Sequence, residues 1–212
     1  MGAREAILAR IRDANGRASA TPVTIPREYD TDAPAPPGSP QVVATFVDRL
    51  EDYRARVHHC DDDGVGGVLA GLLTDAGTVV VPPGLPTPWH EAVAATGTQV
   101  RTDNPPLSND ELDTAGAVLT AARLGIAVSG VIVLDGEPDQ GRRAISLVPD
   151  HHVCVIRRDQ VLATVPQAVT DLAEHPTRPL TWIAGPSATS DIELVRVEGV
   201  HGPHTLDVII VG

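Results

Sequence analysis

Residues 181–211, which read TWIAGPSATSDIELVRVEGVHGPHTLDVIIV, place polar turns between two apolar runs. The runs at 180–184 and 208–211 are short, β-branched and bounded by turn residues, so we predict that both are buried strands. Ligands of open α/β folds collect at the carboxyl edge of the sheet. The polar segments 185–193 and 201–204 are therefore candidates for one shared site at that edge.

Composition limits the classes of function. The chain has 212 residues, enough for one sizeable domain with an added arm, and its net charge is -12 with a pI of about 4.9. An acidic chain is repelled by the phosphate backbone and by anionic membranes, so nucleic acid is not an expected partner. No apolar stretch is long enough for a membrane span and the N-terminus lacks a signal core, so we expect a cytoplasmic protein.

Two residue types are scarce in ways that restrict the chemistry. All 16 basic residues are Arg, which excludes Schiff-base formation and a phosphate-loop lysine. Cys60 and Cys154 are the only cysteines, too few for an iron–sulfur cluster. We therefore expect no cofactor on this chain itself.

The N-terminal region reads as a helix and an extended arm. Residues 4–15 have apolar side chains at helical spacing, whereas residues 18–40 contain six prolines and little periodicity. Residues 41–60 then repeat apolar positions every three or four residues, which predicts one long helix. We accordingly divide the chain into an arm, 1–40, and an α/β domain, 41–212.

The remaining pattern alternates strands and helices. Helices are predicted at 65–75, 87–95 and 108–113, and strands at 78–81, 98–101 and 117–120. Three further strands, at 126–135, 144–149 and 153–157, are joined by short turns and indicate an antiparallel insertion or edge, before a last helix at 160–174. The predicted class is α/β, with a mainly parallel sheet flanked by helices and a small antiparallel insertion.

The segment after the first strand has two interpretations. Gly185-Pro186-Ser187 forms a turn, and we predict a short helix after it with Thr189 or Ser190 as N-cap. Backbone N–H groups at such a helix start favour a phosphate or carboxylate. In the alternative, the segment only caps the helix, and Asp191 and Glu193 occupy its positive end.

The histidines also admit several roles. His201 is a candidate general acid or base, with Asp191 and Glu193 as further acid–base candidates, or it is a turn residue that binds backbone groups. A metal site on His201 and His204 would need companions such as His151 and His152, and we predict no metal. His58 and His59 are expected to end the long helix, and Arg142-Arg143 to be a solvated pair.

Several of these segments together resemble one family, the LutC/YkgG group of LUD-domain proteins. The resemblance covers most of residues 41–212. It is carried by residues 125–127, by 146–150 leading into His152, by 185–193 with Gly-Pro-Ser and Thr-Ser-Asp-Ile-Glu, and by 199–203 with Gly-Val-His-Gly-Pro.

The resemblance implies a NagB/RpiA/CoA-transferase-like fold and a subunit role in oxidising L-lactate to pyruvate beside iron–sulfur partner proteins. It leaves open whether the chain itself is an enzyme; the alternative is an independent isomerase or transferase of the same fold. A small carboxylate or phosphorylated ligand would bind at the strand ends. The expected ligand-binding residues are Gly185, Pro186, Ser187, Thr189, Ser190, Gly202 and His152.

The chain departs from the family pattern at three positions. Val128 and Val131 stand in a stretch where the family usually has Ala-Glu-Thr-Gly-Thr, so a carboxylate and a hydroxyl are missing. Ala188 stands where an arginine is usual. Because Arg is the residue best shaped to bind a carboxylate, we expect a different ligand or a structural or regulatory role for this member.

Overall fold

The computed structural model describes residues 2–17, 24–26, 28–29, 32–33, 35–190, 196–198 and 202–212, with the backbone alone at residues 17, 188–190 and 196–198. The chain divides into two compact units, Met1–Asp30 and Thr31–Gly212. The first unit contains helix α1 (Ala3–Arg17), whose Ile7 and Ile11 side chains are exposed. The predicted N-terminal helix is present.

The second unit contains helices and strands in alternation. Its α-helices are α2 (Pro40–Asp52), α3 (Val65–Leu73), α4 (Thr87–Ala94), α5 (Asn109–Asp113) and α6 (Val165–Leu172). Its strands are β1 (Arg56–Cys60), β2 (Thr78–Val81), β3 (Gln99–Thr102), β4 (Ala117–Ala121), β5 (Leu124–Ile126), β6 (Val131–Leu134), β7 (His151–Arg157), β8 (Val161–Leu162), β9 (Thr181–Ile183), β10 (Ala188–Ser190), β11 (Arg196–Glu198) and β12 (Thr205–Val211). Across the described residues, every helix is too short or too polar to cross a lipid bilayer.

A central sheet of six strands organises the second unit. Its order is β1-β12-β7-β4-β2-β3, and all neighbouring strands are parallel. On one face, Val153 and Ile209 pack in the core beneath α3 and α4; on the other, Cys154 and Ile210 pack in the core with α2. Helices on both faces bury the inner strands of the sheet, which explains why β2, β4, β7 and β12 are almost continuously apolar. The predicted α/β class with a mainly parallel sheet is confirmed.

A second sheet, of order β8-β5-β6-β9, is built from two excursions of the chain. β6 is antiparallel to β5 and β9, while β8 is parallel to β5. The predicted small insertion is therefore a mixed sheet. β7, which we assigned to the insertion, lies instead in the middle of the central sheet, where Val118 of β4 pairs with His152. The segment with β5 and β6 connects the parallel strands β4 and β7, a connection that usually contains a crossover helix.

The prediction of one helix across residues 41–60 was wrong. Helix α2 ends at Asp52, and residues 56–60 form the edge strand β1. Arg54 adopts φ 66°, and the Arg54 and Ala55 N–H groups donate to the Glu51 and Leu50 carbonyls. This is the Schellman arrangement that usually has glycine at the left-handed position. Because this position holds Arg54 and not glycine, the sequence pattern did not indicate that the helix ends here.

Other predicted elements need correction. The predicted strand at 144–149 is a 3-10 turn, Arg143–Ser146. The strand predicted at 126–135 divides at Gly130, whose φ of 59° reverses the chain between β5 and β6. The last predicted helix begins only at Val165, after β8. β9 is not a buried central strand: it forms the edge of the second sheet, and Trp182 on it is 43% exposed.

Candidate functional site

The two glycine-proline turns assigned to one site lie side by side. The Ser187 N–H donates to the Pro203 carbonyl at 2.8 Å. A side chain on Gly202 would place its Cβ 3.3 Å from Cβ of Ser187. These turns, with Gly185 and Pro186, line one cleft.

The cleft lies at the amino ends of β7 and β12, and our expectation of the carboxyl edge was wrong. His152 and Leu206, the second residues of these two strands, are paired in register and line the cleft. The turn at 185–187 follows β9, which belongs to the second sheet. Its carboxyl end therefore does not coincide with the carboxyl edge of the central sheet.

The cleft combines polar and apolar groups in a volume of about 390 Å³. Arg143, Ser146, His152 and Ser187 contribute polar side chains, and Tyr53 and Trp182 contribute aromatic ones. A neighbouring cleft of about 570 Å³ also includes Arg143, Ser146 and Thr181 in its lining. The two clefts therefore adjoin at the turn that carries Arg143.

The predicted solvated pair Arg142-Arg143 has two different environments. The Arg142 guanidinium donates to both carboxylate oxygens of Asp103, at 2.7 and 3.0 Å, and to the Leu107 carbonyl. Arg143 is exposed and has no ion pair within the described part of the chain. The Ser146 hydroxyl donates to the Arg143 carbonyl at 3.1 Å and holds the turn. Arg143 thus presents a cation to the cleft that no carboxylate of the described ranges neutralises.

His152 is a buried neutral base at the inner end of the cleft. Its Nε2 lies 2.8 Å from Oγ1 of Thr120, and Thr120 in turn lies 3.8 Å from Sγ of Cys154. Burial, with a smaller contribution from the charge of His151, lowers the pKa of His152 from 6.5 to about 4. At neutral pH the ring can therefore accept or donate one hydrogen bond without adding charge.

This buried ring should make the protein less stable in mild acid. Below pH 6.5 His152 is protonated in the unfolded chain, whereas in the folded protein it stays neutral until about pH 4. The free energy of unfolding therefore falls over this interval. We expect a loss of about 2 kcal/mol between pH 7 and pH 5 from this group. Urea unfolding at both pH values should show a smaller loss for His152→Gln. His59→Gln, at an exposed position, should keep the wild-type loss; equal curves for both variants would contradict the assignment.

A second polar cluster, which sequence reasoning missed, lies on the opposite face of the same strands. The fully buried Asp207 carboxylate accepts from Arg56 Nε at 2.9 Å, from His58 Nε2 at 2.7 Å and from His151 Nε2 at 2.6 Å. A second Arg56 nitrogen completes a bidentate pair. The available signal was a single carboxylate inside the apolar run TLDVIIV, since a buried charge requires a partner.

The Asp207 cluster joins three adjacent strands. Burial by itself raises the pKa of Asp207, but hydrogen bonds from His151, Arg56 and His58 outweigh burial and hold that pKa well below its ordinary value. Because the ionised carboxylate only accepts, both histidines carry their proton on Nε2. The cluster fixes the amino ends of β1, β7 and β12, where the neighbouring residues His152 and Leu206 line the cleft.

The other sequence candidates are placed as follows. Asp191, Glu193 and His201 lie outside the described residues. Thr189 and Ser190 belong to β10, which pairs antiparallel with β11, so a strand stands where we predicted helix-capping residues. His204 lies 3.9 Å from the exposed Asp150. No group of three or more His, Cys, Asp or Glu in the described part of the chain has the arrangement of a metal site.

The departures from the family pattern lie in two places. Val128 is exposed in the 3-10 turn Ala127–Ser129, and Val131 begins β6. Ala188 begins β10, directly after the cleft residue Ser187. The missing arginine at position 188 therefore falls beside the cleft, and Arg143 is the cationic side chain that lines it among the described residues.

Comparison with known proteins identifies relatives over most of the chain. The LUD domain profile matches residues 107–211. "Lactate utilization protein C" of Deinococcus radiodurans is 49% identical over 181 residues, 84% of either chain. "Uncharacterized protein YkgG" of Escherichia coli is 36% identical over 88 residues, 39% of this chain and 38% of that protein. The crystal structure of a DUF162 family protein from Deinococcus radiodurans has a TM-score of 0.69 and 42% identity, covering 81% of this chain and 97% of that one.

The motifs at 146–152, 185–193 and 199–203 all lie within the residues that the LUD domain profile matches. The profile match, residues 107–211, includes the strands β4, β7 and β12 of the central sheet and the two turns that line the cleft. The chain belongs to the LUD-domain family.

Proposed function

We propose that this protein takes part in lactate utilisation, as a cytoplasmic accessory subunit in the oxidation of L-lactate to pyruvate. The observation that supports this most strongly is the 49% identity, across 84% of both chains, to a protein named "Lactate utilization protein C". Identity at this level over nearly the whole domain favours a shared role.

Iron–sulfur partner proteins carry the electrons in this proposal. The chain has two cysteines, whereas a cluster usually takes four thiolates. Burial raises the pKa of Cys154 to about 12, which keeps its thiol protonated. The redox centre is therefore assigned to a partner and the small-molecule cleft to this chain.

The cleft is suited to a small carboxylate. Arg143 supplies a guanidinium that forms no ion pair with the described residues, and this group best matches a carboxylate by forming two parallel hydrogen bonds. His152 adds a neutral ring and Ser187 a hydroxyl, while Leu147 and Leu206 supply apolar walls. Lactate and pyruvate have this combination of a carboxylate, one further oxygen and a methyl group.

Deletion of the gene and complementation provide the test. The deletion strain should fail to grow on lactate while growing normally on glucose, and the tagged protein should co-purify with an iron–sulfur protein. Unchanged growth on lactate, with no such partner recovered, would overturn the proposal. Thermal stabilisation by sugar phosphates or CoA esters in that case would favour the independent isomerase or transferase.

Arg143→Ala should weaken the binding of lactate or pyruvate about tenfold or more, because a charged hydrogen-bond partner is lost. Isothermal titration calorimetry on the purified chain measures this. Arg157→Ala is the matched control: Arg157 is the last residue of β7, at the end opposite His152, and its side chain forms surface ion pairs with Asp62 and Asp159. Equal affinities for the two variants would exclude Arg143 from the site.

A further inference from the structure

The distribution of aromatic residues points to the kind of ligand. The chain has one Phe, two Trp and two Tyr. Phe46 is buried in the core, Trp89 packs against the core beside α3, and Tyr29 belongs to the N-terminal unit. The remaining two, Tyr53 and Trp182, line the same cleft and are 41% and 43% exposed. Two of the few aromatic side chains in this protein thus line one concave surface and are partly exposed there.

The backbone holds both rings in place. Tyr53 follows the last turn of α2, and its N–H donates to the Arg49 carbonyl at 3.3 Å. Gly185, with φ 73°, packs so closely that a Cβ there would lie 2.7 Å from Cβ of Tyr53. Trp182 is fixed by pairing of β9 with Val133 of β6. The rings are therefore carried by ordered elements, which lowers the entropy cost of binding a ligand between them.

Planar rings bind favourably to exposed aromatic side chains. Stacking on an aromatic ring contributes affinity for flat heteroaromatic groups with little dependence on their substituents. Lactate and pyruvate have no ring and leave this surface unused. A protein partner is less suited to it, because the rings face a cleft of about 390 Å³ rather than a broad flat surface.

The charge beside the rings is positive. Arg143 lines both this cleft and the neighbouring one, at the place where the two clefts adjoin. No described carboxylate pairs with Arg143. Asp103 and Glu137 line that neighbouring cleft, but Arg142 and Arg178 pair with them. Among the described residues, Arg143 is therefore the cation in the cleft that can bind an anionic group of a ligand.

We propose that this cleft binds a ligand in which a planar aromatic or heteroaromatic ring carries a carboxylate or phosphate. The ring stacks on Trp182 beside Tyr53, and the anionic group binds Arg143. The inference rests on the proposed function in taking this cleft as the site for a small anion, and it goes further by requiring a ring. It concerns binding alone.

Calorimetry with the purified full chain tests the ring and the anion separately. The probes are flavin mononucleotide and nicotinate, which have both features, riboflavin, which lacks the anion, and inorganic phosphate and lactate, which lack the ring. We expect at least one of the first two to bind about tenfold or more tightly than each probe that lacks one feature.

Variants assign the two contacts. Trp182→Ala should weaken the ring-bearing anion about ten- to hundredfold and leave phosphate unchanged, whereas Arg143→Ala should weaken phosphate as well. Trp182→Leu removes the aromatic ring but keeps an apolar side chain. It replaces Trp182→Ala in this test if the alanine variant does not fold. Trp89→Phe, at the other tryptophan, should bind as the wild type and leaves Trp182 as the sole tryptophan, so ligand should quench its emission.

The outcomes separate this inference from the proposed function. Lactate binding equal to that of both ring-bearing anions, or ring binding unaffected by Trp182→Leu, would overturn the ring site while growth on lactate could still depend on the gene. Conversely, tight binding of a ring-bearing anion with normal growth of the deletion strain would support the cleft assignment and count against the lactate role.

Discussion

Replacing Asp207 with alanine should lower the free energy of unfolding by about 3 kcal/mol or more, because it breaks a buried ion pair. The carboxylate is fully buried, and its loss leaves Arg56, His58 and His151 without their acceptor. These donors are partly exposed and can bind some water, which places the effect at the lower end for a broken buried pair. Urea unfolding near pH 7 measures the change.

Asp150→Ala is the matched control, since Asp150 is exposed and lies 3.9 Å from His204. Exposed pairs contribute about 0–1 kcal/mol, so this variant should be nearly as stable as the wild type. A loss for Asp207→Ala no larger than that of the control would show that the cluster does not hold the strands. The Asp207 contribution should be complete above pH 3.8, its ordinary pKa, and disappear as pH falls below that, because its folded-state pKa is lowered.

Phe46→Ala should cost about 3–5 kcal/mol by leaving a cavity. Phe46 is fully buried and is the one phenylalanine of the chain, in a core cluster otherwise built from aliphatic side chains and Cys154. It packs between α2 and the second sheet, where a Cβ on Gly125 of β5 would lie 2.7 Å from Cζ of the ring. The Phe46 ring therefore occupies the space that a side chain at position 125 of β5 would fill.

A double-mutant cycle tests this contact. Gly125→Ala alone should destabilise by about 1–3 kcal/mol through overpacking, and less in a Phe46→Leu background, where the ring is absent. Gly71→Ala is the control, since Gly71 lies in α3 with nothing within 4 Å of its added Cβ. It should stabilise by about 0.5–1 kcal/mol, because alanine is the better helix residue. Additive effects of the Phe46 and Gly125 changes would contradict the close packing.

Local patterns were sufficient where the determining contacts are near in sequence. The helix predicted at 108–113 is α5, which begins with a local capping box: the Ser108 hydroxyl accepts from the Glu111 N–H and the Glu111 carboxylate accepts from the Ser108 N–H. The apolar runs at β2 and β12 were likewise recognised as strands. The end of α2 was not predicted, because Arg54 adopts a left-handed conformation that sequence patterns assign to glycine.

Long-range pairing decided the rest. The place of β7 in the centre of the sheet depends on its hydrogen bonds to β4 and β12, and an apolar run reads the same in the middle of a sheet as in an insertion. The partners of Asp207 come from residues 56, 58 and 151, far from it in the chain. Arg143, Tyr53 and Trp182 meet only through the packing of α2 and the second sheet beside β7 and β12.

Local sequence patterns are enough to predict the α/β class, the family and the nearness of the 185–187 and 202–203 turns. Periodicity, turn chemistry and motif spacing are local properties of the sequence and do not depend on which residues meet in the fold. The tertiary structure alone decided the strand order, the edge at which the cleft opens and the side chains that line it. These follow from which strands exchange hydrogen bonds and which faces pack together, and such contacts join residues that no local pattern relates.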